Sequence, residues 1–318
     1  MYASPDVVAA FASHQPPMTR RPDFDEFWTL SLDRARQQDL RLQMQPIDYP
    51  APHVEVRDLV FCGWDDTPIH SWLLLPKTTT GPFPCLVHFD GYGGNRGFPY
   101  EFLSWLGLGC AVLSVDLREQ SGSTGTKAHF SSGAFPSVIS KGLLDKNEYY
   151  YRAVYLDCVQ ALDVIARCPE LDSNRIILEG GSQGGALSLI VAALDSRPWR
   201  VMADVPSMSQ IEERVRCSQG AFEWVTAYLK LYPQHTEQVL STLSYFDTMN
   251  FADRIRCPVL ASVALQDQTA PARLFQATYN RITSPKTQVI YPYNGHEGGG
   301  RHHHELKLRW LQEELLEH

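Results

Sequence analysis

The strongest chemical signal in the 318-residue chain is Gly180-Gly181-Ser182-Gln183-Gly184-Gly185. The run before it, Arg175-Ile176-Ile177-Leu178-Glu179, reads as a buried strand, and Ala186 to Ala193 reads as a helix of small apolar residues. A serine on a sharp turn between strand and helix is a nucleophile elbow. The turn is crowded, so it needs small residues such as Gly180 and Gly184 on either side of Ser182. The helix behind it offers a positive dipole end and free N–H groups, so the amide of Gln183 can receive an oxyanion. Outside that context the same residues would be a glycine-rich helix start with an ordinary capping serine.

A serine nucleophile needs a base and a group that orients the base, in the chain order serine, acid, histidine. Asp267 directly follows the apolar run Val259 to Leu265, at a strand tip that faces an active site. Asp247 and Asp253 compete with it but have no strand before them. His296 lies in Asn294-Gly295-His296-Glu297-Gly298, a loop after the expected strand Thr287 to Ile290, and is the expected base. The triplet His302-His303-His304 is the alternative; it leads into a final helix, Glu305 to Leu316, and reads as exposed surface histidines. Four histidines this close also allow a metal site, but no second ligand cluster supports one, and neither metal nor other cofactor is expected. A second oxyanion donor should come from the loop Phe89-Asp90-Gly91-Tyr92-Gly93-Gly94-Asn95, whose glycines let backbone approach a ligand closely. The amide of Tyr92 is the donor assigned.

These groups must be carried by a sheet. Val54 to Phe61 and Ile69 to Pro76 read as a hairpin turned at Gly63-Trp64-Asp65-Asp66. Beyond it, Cys85 to Phe89, Cys110 to Val115, Arg175 to Glu179, Val201 to Val205 and Val259 to Ala264 are short, nearly continuous apolar runs, as strands buried on both faces are. Helical patterns separate them at Glu148 to Ala166, Gly184 to Ala193 and Ala272 to Ile282. The expected fold is α/β: a mostly parallel central sheet entered through an antiparallel hairpin, with helices on both faces. Arg118 to Leu144 reads as a long loop. Residues 207–256 read as a helical insertion before the acid strand, over the edge where pockets form. Phe24, Phe27, Trp28, Leu32 and Ala35 mark an amphipathic N-terminal helix that must pack on its own body or on a second subunit. The expected division is an arm over residues 1–40 and one catalytic domain over 41–318.

Composition narrows the partners. With 28 Lys+Arg against 36 Asp+Glu the net charge is −8, which disfavours nucleic acid, and 44% hydrophobic residues exclude global disorder. The seven cysteines include no C-x-x-C pair and read as buried reduced thiols. No signal peptide is visible, and no apolar run approaches the ~20 residues of a membrane span. The expectation is a cytoplasmic protein with no membrane partner, acting on a small molecule.

Further segments carry a family likeness: Arg21-Pro22-Asp23-Phe24-Asp25-Glu26-Phe27-Trp28, Asp90-Gly91-Tyr92-Gly93-Gly94, Asp116-Leu117-Arg118-Glu119-Gln120, Tyr149-Tyr150-Tyr151-Arg152, the Ser182-Gln183-Gly184-Gly185 elbow and His296-Glu297. Together they resemble the acetyl xylan esterase / cephalosporin-C deacetylase family of carbohydrate esterases, a branch of the α/β-hydrolase fold. The resemblance implies Ser182, Asp267 and His296 as a triad and the Tyr92 and Gln183 amides as the oxyanion hole. It implies hydrolysis of acetyl and other short acyl esters of sugars, with cephalosporin C as a further substrate, and a homo-oligomer, commonly a hexameric ring. Arg118 and Gln120 read as structural, bracing their loop toward the His296-Glu297 region. Asp90 stands where the family usually has His, and Glu119 where it usually has Gly. Each would add a carboxylate near the pocket rim and disfavour anionic substrates. Two rival readings remain: a peptidase of the acyl-aminopeptidase kind, and a non-catalytic ligand-binding hydrolase fold.

Overall fold

The runs that are apolar throughout become strands covered on both faces. β4 (Phe83–Phe89), β5 (Ala111–Val115) and β8 (Val259–Ala264) are buried at nearly every position. This is seen in a computed structural model of the chain, which describes residue 9 and residues 11–132 and 136–317. The first residues of the expected arm, and 133–135 of the expected loop, lie outside the described residues.

The remaining strands are β1 (Gln43–Ile47), β2 (Val54–Cys62), β3 (Pro68–Pro76), β6 (Leu171–Gly181), β7 (Pro198–Asp204) and β9 (Lys286–Tyr291). They form one sheet in the order β1-β2-β3-β5-β4-β6-β7-β8-β9. The pairs β1/β2, β2/β3 and β3/β5 are antiparallel, and every later pair is parallel. The expected hairpin is thus the inner part of a three-stranded antiparallel ribbon. β1 is exposed along its whole length, so it shows no apolar periodicity, and its Pro46 is tolerated because the strand lies at the sheet's edge.

Two apolar layers form because side chains alternate across the sheet. Along β4, Cys85, Val87 and Phe89 enter one core while Leu86 enters the other. The first core is covered by α1 (Phe24–Arg36), α3 (Tyr150–Arg167) and α4 (Gln183–Leu194). The second is covered by the short α2 (Leu103–Gly107) and the C-terminal α9 (Gly300–Glu317). The fold is α/β with helices on both faces.

α1 packs on its own body. Trp28 stacks on Tyr155 at 5.6 Å, Phe24 meets Phe251 edge-on at 5.0 Å, and the Trp28 indole N–H donates to the Tyr245 carbonyl at 3.0 Å. Burying each such ring contributes roughly 1.5–3 kcal/mol. Between β7 and β8 the chain forms α5 (Ile211–Arg216), α6 (Glu223–Leu231) and α7 (Thr236–Ser244), the expected helical insertion. α8 (Ala272–Tyr279) joins β8 to β9. Among the described residues no helix is long and apolar enough to cross a membrane. All seven cysteines are free thiols; five are buried, Cys62 is half-buried and Cys217 is exposed.

Candidate active site

Ser182 joins β6 to α4 with φ 55 and ψ −114, a conformation that L residues rarely adopt. The strain is held by backbone: its amide donates to the Asp204 carbonyl at 2.8 Å, and its own carbonyl accepts from Ser207 at 3.0 Å. The close approach of β4 explains the flanking glycines. A Cβ on Gly184 would lie 1.8 Å from the Phe89 carbonyl oxygen, and one on Gly180 would lie 2.4 Å from it. No side chain fits either position, so the elbow is set by local crowding.

The structure brings Ser182, His296 and Asp267 together. The imidazole Nε2 lies 3.0 Å from Ser182 Oγ, and Nδ1 lies 2.8 Å from Asp267 Oδ2. With Nδ1 protonated, the ring donates to Asp267 and accepts the serine hydroxyl proton. The other carboxylate oxygen, Oδ1, accepts the amides of Thr269 and Ala270, each at 2.8 Å. Burial pushes the Asp267 carboxyl up, but His296 and these amides outweigh it and hold it below the usual carboxylate range. The competing aspartates are engaged elsewhere. Asp247 is buried, accepts the amides of Gln210, Ile211 and Met249, and is pushed up to about 6 by burial. Asp253 pairs with Arg20 at 2.5 Å.

Gly91 to Asn95 form a tight turn in which the Gly94 amide donates to the Gly91 carbonyl at 3.0 Å. Asp90 builds this turn, accepting the Gly91 amide at 2.7 Å and the Asn95 amide at 3.0 Å. Tyr92 and Gln183 line the same cavity as Ser182 and His296, a space of about 660 Å³. That volume is ordinary for a small-molecule site. Gln183 begins α4, so its amide has no partner within the helix. Its side chain ties three segments together: Oε1 accepts from Tyr151 Oη at 2.7 Å, and Nε2 donates to the Asp90 carbonyl at 3.4 Å and to Gln120 Oε1 at 3.3 Å. Glu297 is exposed at the rim, where its Oε1 accepts the Gly295 amide at 3.1 Å and steadies the turn before His296.

Three expectations are corrected. Arg118 does not brace the His296-Glu297 region; it is buried against Asp157 at 2.7 Å and reaches Asp65 at 3.3 Å, holding the β2–β3 turn to α3. Gln120 likewise does not reach that region; it holds the Gly91–Asn95 turn, accepting the Gly93 amide at 2.6 Å. Glu119 is not part of the cavity lining and pairs with Lys141 at 2.5 Å. The third correction concerns the histidine triplet: α9 begins at Gly300 rather than Glu305, and His303 is buried, not exposed. Its Nδ1 meets Tyr291 Oη at 2.9 Å and its Nε2 meets Asp204 Oδ1 at 2.9 Å. His304 is hydrogen-bonded to Ser104 Oγ at 2.9 Å.

These contacts belong to a buried polar network beside the elbow that sequence reasoning missed. Lys307, one turn after His303, donates to Glu179 at 2.6 Å and to Asp204 at 2.5 Å. Glu179 is also bound by His88 at 2.6 Å. Burial pushes Glu179 up, yet Lys307 and His88 outweigh it and leave it below its usual range. Asp204 is lowered in the same way, by Lys307 and His303 against burial. Glu179 and Asp204 were visible as carboxylates near the ends of apolar strands; what the chain could not reveal was which cation of a distant helix meets them.

Comparison with known proteins identifies the family. A family model described as acetyl xylan esterase matches residues 7–314. The acetyl esterase Axe7A of Xylanibacter ruminicola is 28% identical over 314 residues, covering 94% of this chain and 69% of that protein. The solved acetyl xylan esterase from Paenibacillus sp. R4 is 38% identical with a TM-score of 0.93, covering 96% of this chain and 98% of that one. Acetyl xylan esterase 1 from Thermoanaerobacterium sp. JW/SL YS485 is 31% identical with a TM-score of 0.90, again covering 96% and 98%.

Proposed function

The chain belongs to the acetyl xylan esterase family and is a carboxylic ester hydrolase, and from that premise we propose that it deacetylates acetylated xylo-oligosaccharides through an acetyl-serine at Ser182. One observation carries the reading: a single imidazole, His296, stands within hydrogen-bond reach of Ser182 Oγ at 3.0 Å and of the buried Asp267 carboxylate at 2.8 Å.

In this mechanism Nε2 of His296 takes the hydroxyl proton as Ser182 Oγ attacks the acetyl carbonyl carbon. The carbonyl π pair moves onto oxygen, and the amides of Tyr92 and Gln183 receive the resulting oxyanion. Asp267 keeps the imidazole in the required tautomer and stabilises the imidazolium. The tetrahedral species collapses, the bond to the sugar oxygen breaks, and His296 returns the proton to that oxygen. Water, deprotonated by the same imidazole, then attacks the acetyl-enzyme; acetate leaves and Ser182 regains its proton. None of these steps requires a cofactor. The reading extends to short-acyl esters such as cephalosporin C and to a homo-oligomeric, ring-forming enzyme, as the family resemblance implies. It treats residues 41–318 as one catalytic domain with an N-terminal arm. The complete Ser-His-Asp set disfavours a non-catalytic binder, which has no use for all three groups.

Acetate release from acetylated xylo-oligosaccharides tests the proposal, run beside p-nitrophenyl acetate, butyrate and octanoate and an acylated aminoacyl amide. Acetyl esters are expected to be the best substrates, with kcat/KM falling as the acyl chain lengthens. Faster cleavage of the amide, or of octanoate, would sink the acetylesterase reading in favour of a peptidase or lipase.

A further inference from the structure

Arg214, on α5 of the insertion, lines the same cavity as Ser182 and His296. It is 3% exposed, yet among the described residues it makes no ion pair within 4.0 Å. Of its five N–H donors, one is engaged: Nη2 donates to the Thr269 carbonyl at 2.7 Å. Nε is buried without a partner among the described residues, and the guanidinium lies 5.0 Å from the centre of the Phe222 ring. Arg118, equally buried, shows the usual arrangement, with Asp157 and Asp65 both against it. Burial presses the Arg214 guanidinium down to about 10, against the opposing pull of Asp267, Asp247 and Tyr151, none of which forms an ion pair or hydrogen bond with it among the described residues.

The other charges around the cavity are already engaged. Asp204 is held by His303 and Lys307, Asp90 by the Gly91 and Asn95 amides, and Glu297 by its own turn. Lys307 is held by Glu179 and Asp204. A buried, under-coordinated cation in a substrate cavity is a recognition element, because leaving such a charge without an anion is costly. We propose that Arg214 is a specificity-determining residue that receives a carboxylate carried by the ester substrate. This rests on the reading that Ser182 is the nucleophile of the same cavity, and it reverses the expectation, drawn from Asp90 and Glu119, that anionic substrates are disfavoured. The carboxylate could sit on the alcohol, as in a uronic acid unit of an acetylated oligosaccharide, or on the acyl group, as in a dicarboxylic half-ester.

Two matched pairs separate these sources: acetylated methyl glucuronoside against acetylated methyl glucoside, and monoethyl succinate against ethyl butyrate. In one pair the wild-type enzyme is expected to prefer the anionic member in kcat/KM by roughly tenfold to a hundredfold, mainly through KM. Arg214→Gln should bring that preference to about unity, and Arg214→Lys should keep part of it. The ratio within a pair is read on one preparation, so partial loss of folded protein cancels. Absence of an anionic preference in both wild-type pairs overturns the proposal, even if R214Q cannot be recovered folded. So does a Gln variant that slows both members of the pair equally, because that marks a purely positioning role beside Thr269. Failure of the nucleophile reading has a different signature, persistence of neutral-ester hydrolysis in Ser182→Ala.

Discussion

Ser182→Ala is expected to lower kcat for acetylated xylo-oligosaccharides and for p-nitrophenyl acetate by on the order of 10⁵-fold or more, leaving a folded protein. The size follows from the mechanism. Alanine cannot form the acetyl-enzyme, so only water attack assisted by His296 and the oxyanion amides remains, and that is a small residue of the full rate. The expected change in stability is small, within about 1 kcal/mol, because the elbow is held by backbone bonds to Asp204 and Ser207 that alanine keeps. Alanine also tolerates the φ of 55 no worse than serine does. The two readouts, turnover and thermal unfolding, should therefore separate cleanly. Turnover near the wild-type value in a folded variant would remove Ser182 from the chemistry.

Lys307→Met should produce the largest change in stability, a loss of about 3–5 kcal/mol near neutral pH. Methionine retains the apolar stem but leaves Glu179 and Asp204 beside each other without their shared cation; His88 and His303 remain as their other partners. The pH dependence gives the account a second handle. In the wild type both carboxyls are held below the usual range, so their contribution is complete above a pH of about 4 and is lost as the pH falls through their lowered folded values. Without Lys307, burial is opposed only by His88 and His303, so both carboxyls should take up protons at higher pH than they do in the wild type. The gap to wild type should therefore narrow as the pH falls through the carboxylate range. Thermal or urea unfolding at several pH values measures it. A deficit below about 1 kcal/mol, or one that does not change with pH, would contradict a buried ion network.

Much of the candidate site's geometry was legible in the chain because its constraints are local. The elbow declares itself through glycines that the β4 carbonyl crowds, and Asp267 and His296 each follow a readable strand. What was not legible depends on contacts between distant segments. β1 is exposed at every position and so has no pattern to read. The start of α9, Gly300-Arg301-His302-His303-His304, is poor in helix formers, and burial of His303 against Tyr291 and Asp204 overrides that propensity. Arg118, Glu119 and Arg214 are charges whose ionic partners, or want of one among the described residues, appear only when strands and insertion are assembled. A motif points to the candidate nucleophile, whereas the buried charges around it find their partners on several separate elements.

The most direct test of the central claim is a rapid acid quench of the wild-type enzyme during turnover of p-nitrophenyl acetate, followed by mass analysis of its peptides. The proposed mechanism predicts an added acetyl group on the peptide containing Ser182, formed in a burst and absent from Ser182→Ala. Steady hydrolysis with no acetylated peptide and no burst, or acetyl located on another residue, would contradict it.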